Sequence, residues 1–107
     1  MTTGLSSVQL QLLREELEEH LRWRVSQLAA LKASAEDGED GGDLRDLLAA
    51  VATADHAITE ARQCLDRLAE GSYGTCDGCG AAIPFERLKV RPLARYCMTC
   101  QRRREAA

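Results

Sequence analysis

Four cysteines fall into two CxxC pairs, Cys76-Asp-Gly-Cys79 and Cys97-Met-Thr-Cys100, with seventeen residues between the pairs. Each pair can wrap one short turn and aim two thiolates at a point, and the intervening segment brings the two halves together. The spacing therefore predicts one structural zinc ion held by Cys76, Cys79, Cys97 and Cys100. Gly78 lies inside the first pair and Gly80 follows it. Glycine allows the positive φ and the close backbone approach that turn amide N–H groups toward sulfur. Two disulfides are the other use of four cysteines, disfavoured by a start that lacks a basic stretch followed by an apolar one. A catalytic zinc would need an open ligand position, whereas four thiolates fill the tetrahedron and neither His20 nor His56 is near in sequence. No enzyme is expected. Cys64, the fifth cysteine, neighbours Leu65 in a periodic segment and reads as a small, half-buried apolar side chain.

The 70 residues before the module point to long helices. Aromatic residues make up 4% of the 107, too few for an ordinary globular core, whereas Leu and Ala are abundant. Leu10, Leu13, Leu17, Leu21, Val25, Leu28 and Leu31 recur at spacings of three and four, with Glu and Arg largely filling the other faces. A second stripe, Leu44, Leu47, Val51, Ala54, Ile58, Ala61, Leu65 and Leu68, alternates in the same way over residues 44–70. Between them, Glu36 to Asp43 contains three glycines and no apolar side chain, so it breaks the helix. Asp43 suits the N-cap of the second helix, with Asp46 at N3.

Two matched amphipathic helices joined by a short acidic loop predict an antiparallel coiled-coil hairpin about 40 Å long. A parallel homodimeric coiled coil is the competing arrangement, which the glycine break suits less well; a monomer is expected. The fold class is thus mostly α: residues 1–70 form a hairpin with its acidic tip at 36–43, and residues 71–107 a four-cysteine zinc-finger module with a short basic C-terminal helix. Residues 1–6, mostly small or polar, are expected to fray. Ile83, Phe85, Leu88 and Val90 are the expected core of the module, and the metal must supply much of its stability.

The charge is segregated. The net charge is -3, yet residues 36–46 carry six acids against Arg45, and Arg87 to Arg104 carry seven basic residues and no acid. No apolar run approaches the roughly 18 residues needed to span a bilayer, so a soluble cytoplasmic protein without membrane contact is expected.

The run Gly71-Ser-Tyr73-Gly74-Thr-Cys76-Asp-Gly-Cys79-Gly80, followed by Ile83, Arg87-Leu88, Arg91-Pro92 and Cys97-x-x-Cys100, resembles the DksA/TraR family of bacterial zinc-finger transcription factors. The acidic-tipped hairpin extends the resemblance over nearly the whole chain. The resemblance implies a regulator that binds RNA polymerase rather than a specific DNA sequence. Such a factor inserts its coiled-coil tip through the secondary channel and modulates initiation. Carried over, the tip residues are Asp37, Asp40 and Asp43, and the docking residues Arg87, Arg91 and Arg95. The family pattern at the tip is Asp-x-x-Asp-x-Ala. Here one frame, Asp37-Gly-Glu-Asp40-Gly-Gly42, has Gly for Ala, and the other, Asp40-Gly-Gly-Asp43-Leu-Arg45, has Arg for Ala. A family arginine that contacts guanosine tetraphosphate matches Arg91, but the two lysines of that site fall on Glu60 and Gln101, which argues against synergy with the alarmone.

The alternative function is a nucleic-acid-binding zinc ribbon, its phosphate contacts made by Arg87, Lys89, Arg91, Arg95 and Arg102 to Arg104, with Tyr73, Phe85 and Tyr96 available for stacking. A dithiol oxidoreductase is a third reading, and neither CxxC pair has the βαβ context it requires.

Overall fold

A computed structural model describes residues 4–37 and 44–106, with the Asp37 side chain excepted. The helices are α1, Ser7–Asp37; α2, Leu44–Glu70; α3, Phe85–Val90; and α4, Met98–Ala106. Among the described residues, β pairing is confined to one antiparallel bridge between Thr75 and Ala82. The hairpin tip carrying Asp40 and Asp43 lies outside the described residues, as does the side chain of Asp37.

α1 begins at a capping box. The Ser6 hydroxyl accepts the Gln9 N–H at 3.1 Å while the Gln9 amide oxygen accepts the Ser6 N–H at 3.0 Å, so two helix-end donors are satisfied reciprocally. Leu5, just before the cap, and Leu10, at the fourth helical position, both pack on the main core. The expected fraying therefore does not extend to Leu5 and Ser6: a cap plus two apolar anchors outweighs the loss of chain entropy there.

α2 ends in a Schellman motif. Gly71 has φ +85°, its N–H donates to the Leu68 carbonyl, and the Ser72 N–H donates to the Arg67 carbonyl at 2.9 Å. This reversal sends Tyr73 back under the hairpin.

α1 and α2 pack antiparallel, since Leu13 and Leu17 from the first half of α1 share a core with Cys64 from the second half of α2. Ala54 and Ala61 are both fully buried, as their place in a close helix seam requires. The stripe is nevertheless wider than a strict three-four alternation on α2, where Ala57 and Cys64 are buried as well. Cys64 is thus a full core member rather than half-buried, and burial pushes its thiol above the usual range. Away from the base the seam opens: Val25 is 43% exposed and Leu44 61%. A helix in a two-helix hairpin has one neighbour, so residues at the stripe's margin stay in contact with water unless a third element covers them.

The third element is the cysteine module, and it covers only the base. Leu13, Leu17 and Cys64 form one buried cluster with Tyr73, Cys76, Ile83, Leu88 and Cys100. Tyr73 is 2% exposed and donates its hydroxyl to the Pro92 carbonyl at 2.8 Å, tying the segment after α2 to the loop after α3. Of the expected module core, Ile83 and Leu88 are buried and Phe85 partly so, but Val90 is 80% exposed. Val90 stands two residues after Leu88, about 200° round the helix, so the face that buries Leu88 turns Val90 outward.

Candidate metal centre

The first cysteine pair sits in a tight turn and the second at the start of α4. The Cys76 N–H donates to the Ala81 carbonyl at 2.8 Å and the Gly80 N–H returns to the Cys76 carbonyl at 2.9 Å, closing the chain around the first pair. Gly80 has φ +78°, a conformation open to glycine at little cost. Gly78 is required for space: a Cβ there would lie 2.9 Å from the Cys100 sulfur. Its N–H points at the Cys76 sulfur at 3.3 Å, the N–H to sulfur bond expected of a metal knuckle. Across the site, the Gln101 N–H donates to the Cys97 carbonyl at 2.9 Å, so Cys97 precedes the first turn of α4 and Cys100 lies within it.

The four sulfurs of Cys76, Cys79, Cys97 and Cys100 lie within 4.8 Å of one another, and those of Cys79 and Cys97 are 3.8 Å apart. A tetrahedral zinc with Zn–S distances of about 2.3 Å has sulfur–sulfur edges of about 3.8 Å. The donor set and its dimensions suit one zinc ion. Cys76 and Cys100 are buried, Cys97 is half-buried and Cys79 exposed, so the centre has its inner half in the core and its outer half at the surface. The crowded thiols titrate against one another. Burial would push Cys76 up, but hydrogen bonds from backbone groups at Cys97, Cys79 and Gly78 and from the Cys100 side chain hold it down at about 6. Its hydrogen bond with Cys76, together with burial, drives Cys100 up to about 12. A divalent cation resolves that conflict, since it stabilises every thiolate at once.

A surface network supports the centre, and reading the sequence missed its key member. Asp77, inside the first CxxC, accepts from Arg67 of α2 at 3.1 Å and from Arg95 at 2.9 Å, while its N–H donates to the Arg95 carbonyl. The metal turn is thereby fastened to the long hairpin and to the approach of the second pair. All three side chains are partly exposed, so the network orients more than it stabilises.

The candidate docking arginines are unequally available. Arg87 donates to the Tyr96 carbonyl at 3.2 Å and to the Met98 sulfur at 2.9 Å, and Arg95 is engaged by Asp77, whereas Arg91 is exposed. Arg91 lines, together with Glu60 and Gln101, a cleft of about 480 Å³ between the hairpin and the module. Of the three aromatic side chains named for stacking, Tyr73 is buried, Phe85 is half-buried against the core, and Tyr96 has the Arg104 guanidinium over its ring at 4.4 Å. Among the described residues, no helix is long and apolar enough to cross a membrane.

Residues 71–106 match the prokaryotic dksA/traR C4-type zinc finger family. An uncharacterized protein of Aquifex aeolicus is 40% identical over 43 residues, and general stress protein 16O of Bacillus subtilis is 36% identical over 44. The matches take in 40% and 41% of this chain but 30% and 27% of those proteins, so the chain aligns with less than a third of each relative's length. The fold as a whole is similar to that of transcription factor DksA2 from Pseudomonas aeruginosa, with a TM-score of 0.83 at 23% identity over 94% of this chain and 86% of that one.

Proposed function

From the premise that residues 71–106 form a dksA/traR-type C4 zinc finger and that the chain has a DksA-like fold, we propose an RNA polymerase-binding regulator of transcription initiation. The observation that carries this reading is the placement of the two helices. α1, with 31 residues, is about 46 Å long by the ordinary helical rise, and it seats only its base on the zinc module. The far end, where α1 stops at Asp37 and α2 begins at Leu44, is the acidic segment. A narrow rod anchored at one end can carry carboxylates into a passage too tight for a globular domain. In the polymerase secondary channel, Asp37, Asp40 and Asp43 would approach basic groups or metal-bound substrates near the active site. The zinc module stays outside, and Arg91 is the most available of its three candidate docking arginines, with Arg87 and Arg95 shaping the surface around it.

The test separates tip from base. Asp40→Asn keeps the shape of the side chain and removes its charge. In a reconstituted transcription assay on responsive promoters it is expected to reduce the effect on initiation severalfold while changing polymerase affinity less than about twofold. Equal activity of Asp40→Asn and wild type would make the acidic loop a solvated turn.

The cleft bearing Glu60, Arg91 and Gln101 supports a second expectation. Guanosine tetraphosphate carries several negative charges, and each charge-assisted hydrogen bond is worth about 1.5–3 kcal/mol. Two absent lysines therefore weaken such a site at least about tenfold, and the Glu60 carboxylate adds repulsion. The alarmone is expected to add little to the factor's action, and Glu60→Lys with Gln101→Lys is expected to restore part of the synergy. Strong synergy in a titration of the unmodified protein would refute the correspondence of these residues.

A further inference from the structure

The chain has two histidines, and both stand near one carboxylate in the middle of the hairpin. His56 and Glu60 follow at a spacing of four on α2, so they are neighbours on one face. The His56 Nε2 lies 3.5 Å from the Glu60 Oε1. That is longer than an N–H to oxygen hydrogen bond, whose usual range ends at about 3.2 Å. It is close instead to the separation of two donors on one tetrahedral zinc: with Zn–N and Zn–O distances of about 2.1 Å, that edge is about 3.4 Å.

His20 comes from the facing helix, and with Glu60 it lines the cleft between hairpin and module. Its Nε2 is shut off from water and has no hydrogen-bond partner among the described residues, which costs free energy until something engages it. Burial and the neighbouring Arg24 lower the pKa of His20, while the charge of Glu60 acts to raise it. The ring is therefore neutral near neutral pH, the form in which an imidazole binds a metal. The Arg24 guanidinium is engaged along α1 itself: it donates to the Gln27 side-chain oxygen at 2.8 Å and lies 4.8 Å from the Trp23 ring centroid.

We propose that His20, His56 and Glu60 form a second site for a divalent cation, distinct from the four cysteines, that ties α1 to α2 at mid-length. Two imidazoles and a carboxylate suit a borderline cation such as Zn2+ and leave its fourth position to water. Among the described residues, the four cysteine sulfurs are the cluster of such donors already gathered within 4.8 Å, so the histidine site closes only when side chains turn. The side chain of His56 is 75% exposed and that of Glu60 30%, which leaves the pair room to swing toward α1 and the unpartnered His20 nitrogen. The metal assembles this site rather than finding it formed, and the cost of that rearrangement keeps its affinity well below that of the four thiolates. The inference goes beyond the polymerase reading and does not depend on it.

The experiment is a calorimetric titration of Zn2+ into the full-length protein already loaded at its cysteines. Wild type is expected to take up a second equivalent. His56→Ala, Glu60→Gln and His20→Ala are each expected to weaken that step at least about tenfold, because losing a ligand costs no less than losing a ligand's supporting partner, about 10–100-fold. His56 is exposed, so its removal leaves the packing untouched, and unchanged helical circular dichroism certifies the fold of each variant. Because the ion joins two helices, excess Zn2+ is also expected to raise the urea midpoint of wild type and not that of His56→Ala. Co2+ offered to the zinc-loaded protein is expected to give d–d absorption without a thiolate charge-transfer band.

Uptake that stops at the cysteine-bound zinc overturns the inference. So does a second equivalent bound equally by wild type, His56→Ala and Glu60→Gln, which assigns it to carboxylates elsewhere, such as the acidic segment 36–46. A loss confined to His56→Ala and Glu60→Gln, with His20→Ala equal to wild type, makes the site a feature of α2 alone and overturns the tie between helices. A growing thiolate band with Co2+ means entry at the cysteines and overturns the site as well.

Discussion

Stripping the metal with a strong chelator is expected to unfold residues 71–106 and to loosen the base of the hairpin with them. Apart from its cysteines, the side chains that the module buries are Tyr73, Ile83 and Leu88, packed on Leu13, Leu17 and Cys64, with Phe85, Leu93, Ala94 and Tyr96 partly covered around them. So small a unit does not bury enough surface to hold itself, and zinc binding to four thiolates contributes about 10–16 kcal/mol to such modules near neutral pH. Cys76 and Cys100 are both ligands and core members, so losing the ion also returns two buried, mutually hindering thiols to the interior. Circular dichroism should keep most of its helical signal from the outer parts of α1 and α2, while limited proteolysis should cut readily between Gly71 and Ala106. Cys100→Ser should produce the same pattern without a chelator. Chelated protein as resistant to protease across this region as the loaded form would show that packing alone holds the module.

The second large effect lies in the hairpin, and it contrasts two substitutions that the sequence stripe treats as equivalent. Ile58→Asp places a carboxylate at a position 5% exposed, largely shut off from water, and is expected to cost about 3 kcal/mol or more. Val25→Asp falls on the same kind of three-four stripe, but Val25 is 43% exposed, and the cost there is expected to be about 1 kcal/mol or less. Urea unfolding of the zinc-loaded proteins, compared at their midpoints, measures both. Equal destabilisation would mean that the seam is packed along its whole length rather than mainly at the base.

The difference between Ile58 and Val25 also marks how far the sequence could be read. Each long helix was visible because its signal is local: apolar residues three and four apart share a face whatever lies opposite, and the glycine-rich acidic segment interrupts that signal. The cysteine cluster was visible for the same reason, since a CxxC turn aims both sulfurs at one point without help from distant residues. The burial of Cys64 and the outward turn of Val90 had no such signal. Cys64 is covered because the module folds back against α2, and Val90 is bare because the short helix spends its one buried face on Leu88.

The sequence by itself determined the two helices, the break between them, the four-thiolate donor set and the separation of an acidic segment, residues 36–46, from a basic one, residues 87–104. The helices, their break and each CxxC turn depend on residues within a few turns of one another, where spacing alone decides the geometry, and the charge separation is written in the order of the chain. Only the tertiary structure decided which part of the apolar stripe is core, that Arg67 and Arg95 converge on Asp77, that Tyr73 reaches the Pro92 carbonyl, and that Leu12, Trp23 and Val90 meet in one exposed groove. Those pairings join residues 10 to 78 positions apart, and no local period encodes which of many apolar or charged side chains will meet across such a distance. They follow from the reversal at Gly71, which folds the zinc module against the lower half of the hairpin and leaves the upper half with a single neighbour.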